Sequence, residues 1–308
     1  MKNMFTFILR RLVSIIPVLF GVTFLVYTLM TLAPGNPEMI PLRNITDPVE
    51  REAKMEELGL NDPMIIRYGR MMKRWFTEEV NENDQYSGIL TKMSVHLPKS
   101  LQLCITSLFF SVVLALPLGV FAAIKQNTIF DGLCMAISLV GVSMPNFWMG
   151  LLMMIWFALK LGWFPTAGSE TLAHLVLPAA TLAFINMAAI ARVTRSSVLE
   201  VIRQDYVRTA RAKGVSERRV ITHHVLRNAM LPTITVIGIQ LGELLSNTII
   251  IENIYAWPGV GRLLIQAINS RDMSMMIACV MVFAIAVSLI NLLVDILYSL
   301  IDPRISIQ

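Results

Sequence analysis

Residues 132–159 read GLCMAISLVGVSMPNFWMGLLMMIWFAL, twenty-eight consecutive positions without a charged side chain. A helix needs about 20 mainly apolar residues to cross the hydrocarbon of a bilayer. A run of this length and greasiness belongs in a membrane. Pro145 and Asn146 interrupt it, and a proline removes one helix hydrogen bond and crowds the preceding turn, so a kink or break is expected there. The overall composition agrees. Of 308 residues, 55% are apolar and 15% charged, against about 25% charged in ordinary globular domains. The mean hydropathy is +0.64. The same values exclude a disordered chain, which is poor in apolar residues and rich in charge.

Five other apolar runs are long enough to cross: residues 12–32, about 100–124, about 172–191, about 231–251 and about 275–296. With 132–159 they predict an all-α, polytopic membrane domain over residues 1–308 with six transmembrane helices. The first run follows Arg10 and Arg11, as a secretory signal would. It is longer than the apolar core of a signal, and Pro34 sits where a small-residue cleavage site would fall, so it reads as a retained span.

An even number of crossings puts both termini on one side, and basic residues mark cytoplasmic connections. Lys2, Arg10 and Arg11 lie at the N-terminus without an acid, and residues 192–230 hold nine basic and three acidic side chains. The connection between the second and third runs sets Lys125 against Asp131, whereas residues 160–170 and 252–272 each balance to zero. Both termini and the 192–230 loop are therefore expected in the cytoplasm. Residues 33–99 fall outside. Their nine basic and eleven acidic residues do not contradict this, because long loops escape the charge rule. The amphipathic stretch 47–76 is expected to fold as short helices of a small external subdomain.

The formal net charge of +5 and isoelectric point near 9.2 are explained by those basic loops, which argues against a nucleic-acid partner. Cys104, Cys134 and Cys279 each lie in an apolar run and read as small buried hydrophobes. His96, His174, His223 and His224 form no metal-binding pattern. The twenty methionines read as adaptable apolar filler. No P-loop and no nucleophile–base motif is visible, so the chain is not expected to be an enzyme.

The 192–230 loop holds the most informative motif, QDYVRTARAKG (204–214) followed by VSERRVITHHVLRNAMLP (215–232). Asp205 to Lys213 favour a helix, and Gly214 can take the left-handed position that ends it. Ser216 is placed to cap a second short helix. Two amphipathic helices joined at a glycine would make a rigid basic knob; a solvated loop with no further role is the plainer reading of the same charges.

This segment resembles the cytoplasmic EAA-type loop of ABC importer permeases, in the form found in dipeptide and oligopeptide permeases. Arg208-Thr209-Ala210 stands where the general pattern has Glu-Ala-Ala, and Arg227 stands where its proline falls, with Leu231-Pro232 following. The peptide/nickel branch shares these departures. Ile8 to Pro17 and Leu32 to Pro37 are similar to the N-terminus of that branch's B-type subunit, and Glu57 to Pro63 to the start of its outer loop. Leu116 to Gly119, Ser143 to Phe147, Arg195 to Ser197, Trp257 to Leu264 and Leu300 to Arg304 continue the resemblance in order over the whole chain.

The resemblance implies a type I ABC importer permease fold. It implies a permease subunit forming half of a pore, paired with a second, sister permease as a heterodimer, in the inner or plasma membrane of a prokaryote. One or two cytoplasmic ABC ATPases and an extracytoplasmic substrate-binding protein are the implied partners. ATP and Mg would be used by the ATPases, with no cofactor bound by this chain. The implied substrates are di- or oligopeptides, with nickel, metal chelates or glutathione as alternatives in the same class and a secondary carrier as the alternative of another class. The implied ATPase-coupling residues are Asp205, Tyr206, Val207, Arg208, Thr209, Ala210, Arg211, Ala212, Lys213, Gly214, Val215, Ser216, Glu217 and Arg218. Val207, Ala210 and Val215 would then form the apolar contact with the ATPase.

Polar residues inside the spans are candidates for the pathway. Gln240, Glu243 and Asn247 share one helix face, and an acid at membrane depth is functional by default; Glu243 as a structural contact between helices is the competing reading. Asn186 is a further pathway candidate. Gly238 and Gly242 read as close helix packing. Ser288, Asn291 and Asp295 form a second polar stripe, with a structural role favoured for Asp295. In the external connection, the glycines of the stretch Trp257, Pro258, Gly259 and Gly261 permit a tight re-entrant turn, and the resemblance implies an outer loop there that can reach toward the binding protein.

Overall fold

A computed structural model describes residues 2–34, 36–42, 44–77 and 87–301. Of the resembling segments, Gly35 and Asp302 to Arg304 lie outside the described residues, as do residues 78–86 of the 33–99 connection. The described residues form helices and connecting turns, with no strand among them. The elements are α1 (Lys2–Leu32), α2 (Pro48–Glu57), α3 (Met64–Thr77), α4 (Ser87–Ile124), α5 (Ile129–Ser143), α6 (Asn146–Met153), α7 (Leu172–Ile202), α8 (Asp205–Ala212), α9 (Glu217–Arg219), α10 (Leu226–Ile254), α11 (Val260–Ser270) and α12 (Met273–Ile301). Five helices are long and apolar enough to cross a membrane. The pair α5 and α6, with α6 continued to Lys160 as a π-helix, makes a sixth crossing if counted as one.

That pair bends by 111° at the Met144-Pro145 break. Asp131, at the start of α5, is bonded to Arg195 near the end of α7. Beyond the bend, Gly150 lies against Thr181 of α7 and Ile251 of α10, and the Gly168 N–H donates to the Tyr255 carbonyl at the far end of α10. The two halves therefore make one net passage from the end of the bundle that carries α8 to the end that carries Trp257. We call these the basic end and the Trp257 end.

α7 is the central helix: 61% of its most apolar window is buried, against 11% for α1. Small residues let its neighbours approach closely, the usual device where lipid supplies no hydrophobic drive between helices. At Gly119 of α4, a Cβ would stand 2.6 Å from the Ala191 carbonyl of α7. Hydroxyls inside the bundle bond back along their own helix, as Thr181 does to the Leu177 carbonyl at 2.8 Å and Thr194 to the Ile190 carbonyl at 2.8 Å, which satisfies them without a partner on another helix.

Several helices overrun the predicted spans. α1 begins at Lys2, so Arg10 and Arg11 are inside it, and α4 begins at Ser87, thirteen residues before the predicted start at 100. α7 runs on to Ile202, and residues 217–254 form one continuous helical rod. Apolar content locates the lipid-crossing part of a helix, whereas hydrogen bonding continues it through polar flanks. Pro17, Pro98, Pro117, Pro178 and Pro232 all lie within helices, which neighbouring helices and local adjustments tolerate in membranes.

Within 36–77, α2 starts where the Asp47 carboxylate accepts the Val49 N–H at 3.0 Å. α3 packs on α1 through Tyr68, whose hydroxyl lies 2.7 Å from that of Thr23 and whose ring meets Phe24 edge-on. Arg67 pairs with Glu38, which also accepts the Tyr27 hydroxyl. α3 and the 37–42 turn are thus clamped to the C-terminal half of α1.

The Asp131–Arg195 pair is the strongest polar tie between the broken crossing and α7. It is bidentate, at 2.6 and 2.7 Å, and Asp131 is buried. Removing one member of a buried pair strands the other, at a cost of about 3 kcal/mol. Asp131→Ala is expected to lower the melting temperature of the purified protein in detergent by several degrees, with partial recovery in the exchanged pair Asp131→Arg/Arg195→Asp. Equal melting of wild type and Asp131→Ala would refute that role.

Candidate functional site: a basic knob and a polar cleft

The knob at the basic end is built by apolar anchoring under a charged rim. α8 ends at Ala212, and Gly214 takes φ +77°, the left-handed conformation that favours glycine, reversing the chain. Ser216 occupies the N-cap position of α9, without a side-chain capping bond. Arg211 bridges the reversal with a bidentate bond to Glu217, at 2.6 and 3.0 Å. This bond holds the Arg211 guanidinium above its ordinary pKa. The Asn228 amide donates to the Tyr206 hydroxyl at 2.8 Å, tying α8 to α10.

Val207 and Ala210 are buried, and Val215 is half-buried. They pack with Val198 of α7, Ala123 of α4, and Val220, Val225 and Ala229 of the long rod. The expectation that these three form the ATPase contact is therefore corrected: they seat the knob on its own bundle. The surface left exposed is Asp205, Tyr206, Arg208, Thr209, Arg211, Ala212, Lys213, Gly214, Ser216, Glu217 and Arg218. The second helix of the knob is also not a separate unit. Its α9 turn passes through a π-helical stretch, Val220–Val225, directly into α10.

A polar cleft of about 610 Å³ opens on the faces of α1, α10 and α12. Glu243 and Asn247 line it, with Arg11, Asn291 and Asp295. Gly242 lets α12 approach, since a Cβ there would stand 2.6 Å from Asn291 Oδ1. Arg11 bonds Asp295 at 2.9 Å, joining the first helix to the last. Two pathway candidates lie elsewhere. Gln240 is not among the cleft's lining residues. Asn186 is buried, its amide donating to the Leu182 carbonyl at 2.7 Å, so it satisfies its own helix and faces no open path.

At the Trp257 end the structure corrects a third expectation. Trp257 is buried with its indole N–H on the Lys99 carbonyl at 3.0 Å, Gly259 and Gly261 are buried, and the half-buried Pro258 offers its carbonyl to the His96 ring at 2.8 Å. They form a knot and not a projecting loop. At its centre is Glu252, fully buried. It accepts the Ser100 hydroxyl at 2.6 Å and the Arg262 N–H at 3.1 Å, while Ser100 accepts the Val260 N–H at 2.9 Å. Glu252 and Ser100 together cap the start of α11 from two other helices. Sequence reasoning passed over Glu252 as a loop boundary. The available cue was an acid at the end of an apolar run, just before two glycines that admit its carboxylate.

The sequence pattern of the family described as "Binding-protein-dependent transport system inner membrane component" matches residues 115–307. The chain belongs to this family. The pattern of the corresponding N-terminal component matches residues 4–88. Similar proteins include the dipeptide transport system permease protein DppB of Alkalihalophilus pseudofirmus, 39% identical over 98% of this chain and 99% of that protein. The oligopeptide transport system permease protein AppB of Bacillus subtilis is 37% identical over 98% and 99%. The glutathione transport system permease protein GsiC of Escherichia coli is 36% identical over the same shares. Among solved structures, the inward-facing MetNI methionine ABC transporter aligns with a TM-score of 0.60 at 19% identity, covering 70% of this chain and 98% of that one. This likeness shows the fold. The protein is a multi-pass membrane permease subunit of a binding-protein-dependent ABC importer, a non-catalytic component that works with ATPase and substrate-binding partners.

Proposed function

We propose that this permease admits di- or oligopeptides, as one half of a heterodimeric pore in a prokaryotic cytoplasmic membrane, with both termini and the knob in the cytoplasm. The observation that carries the mechanical part is the continuity of residues 217–254: one rod joins the knob to Glu243 and Asn247 on the cleft and to Glu252 in the knot. A push on the knob at one end is therefore delivered to the cleft along one unbroken helical path. The exposed Arg208, Lys213 and Arg218 are the groups for acidic residues on an ATPase, one or two copies of which would bind ATP and Mg in place of this chain. The nine-to-three basic excess of residues 192–230 supports the orientation, and the names of the similar permeases support the substrate class.

Reconstitution with the sister permease, ATPases and binding protein tests the reading by accumulation of labelled peptide in proteoliposomes. ATP-dependent uptake of a di- or oligopeptide is the expected result. Uptake of glutathione alone would move the substrate to the alternative group, and transport by the isolated chain without ATP would replace the importer with a carrier.

A further inference from the structure

Glu243 is exposed to the cleft and has no ion-pair or hydrogen-bond partner among the described residues. An unpaired carboxylate two-thirds of the way along a membrane rod is costly unless a solvated path or a cationic ligand faces it. In the same cleft Arg11 makes a single bond to Asp295, through one nitrogen, and its side chain is 52% exposed. A guanidinium has five N–H donors, so most of its capacity is open. Asn247 and Asn291 add amides that can both donate and accept.

The spacing of the two charges follows from the helices. Gly242 touches Asn291, which sets Glu243 level with that part of α12. Asp295, bonded to Arg11, lies four residues further along α12, a rise of about 6 Å. An extended chain covers about 3.5 Å per residue, so this offset along the bundle axis corresponds to about two residues of extended peptide, the scale of a dipeptide. A cavity of about 610 Å³ is within the usual range for small-ligand sites.

We propose that this cleft is a transit site for short zwitterionic peptides. Glu243 takes the terminal ammonium, Arg11 shares its free donors with the terminal carboxylate while keeping Asp295, and Asn247 and Asn291 bond the peptide backbone. This rests on the peptide-importer reading and assigns recognition to the permease in addition to any binding protein. It requires short peptides with both termini free, because a long peptide would not place both ends in one cleft.

The test uses the complete permease–ATPase assembly in nanodiscs, without the binding protein, and measures equilibrium binding of radiolabelled alanyl-alanine. In wild type, unlabelled alanyl-alanine is expected to compete about tenfold better than either N-acetyl-alanyl-alanine or alanyl-alanine amide, the discrimination of one charge-assisted contact. Glu243→Gln should erase the preference against the acetylated peptide alone, and Arg11→Gln the preference against the amide alone. A merely structural role would weaken all competitors together. Wild-type binding without discrimination, no binding, or discrimination that persists in Glu243→Gln would each overturn the site. So would loss of the second permease from the Glu243→Gln assembly, which would make the carboxylate a subunit contact. The peptide-importer reading is judged separately, by ATP-dependent uptake with the binding protein present.

Discussion

Replacing Ala210 by aspartate is expected to abolish ATP-driven import while leaving the membrane bundle folded. Ala210 is buried against Val198, Val220 and Val225 at the junction of knob and bundle. A carboxylate placed there has no partner inside the cluster, and an unpaired buried charge costs about 3 kcal/mol or more. An isolated helix as short as α8 is not stable in water. The cheaper outcome is therefore release of the knob, with the Arg211–Glu217 bond left to hold the reversal alone. At about 1.4 kcal/mol per factor of ten, 3 kcal/mol lowers the ratio of seated to released knob by more than about a hundredfold. Uptake and binding-protein-stimulated ATPase activity should both fall by more than about tenfold. Trypsin should cut faster after Arg208, Lys213 and Arg218, while Ala210→Ser stays near wild type. Unchanged import with an unchanged tryptic pattern would show that the knob is not anchored through Ala210.

The crossings were legible in the sequence because lipid demands apolar length and the run 132–159 meets that demand unmistakably. The Pro145 break was legible for the same local reason, since proline acts on its own helix. Its 111° angle was not, because the angle is set by where Gly150 finds room between α7 and α10. Helix ends were misplaced wherever polar residues continued a helix beyond the lipid, as in α4 and α7.

The knob was legible through Gly214, whose backbone conformation depends on residue type. The facing of Val207, Ala210 and Val215 was not, because an amphipathic helix shows which face is apolar and not what covers it. The Trp257 motif was misjudged for a related reason. Its glycines announced a close approach, and the group approaching, Glu252, stood only seven to nine residues before them as an unremarked acid. Arg11 and Asp295 are paired across nearly the whole chain, a relation no local pattern reports.

Gly261→Val is expected to be the most destabilising single change at the Trp257 end. A Cβ at Gly261 would stand 2.6 Å from the Ile249 Cα and 2.8 Å from Glu252 Oε2. The first neighbour is backbone and cannot rotate away, so α11 must shift off α10. That shift withdraws the Arg262 N–H from Glu252 and the Val260 N–H from Ser100, leaving a buried carboxylate short of donors, at about 3 kcal/mol or more. It also lifts Val260, Leu263 and Ala267 from Met275, Met276 and Cys279, and so loosens α12. At roughly 2–4 °C per kcal/mol, the protein in detergent should melt about 6–12 °C lower. Glu252→Gln keeps one acceptor oxygen but points an amide at backbone donors, so its loss should be smaller, about 1–3 kcal/mol. The order wild type, Glu252→Gln, Gly261→Val follows from burial and donor geometry alone. If Glu252→Gln melted lower than Gly261→Val, the carboxylate's charge, and not the close fit of the glycines around it, would be what holds the knot.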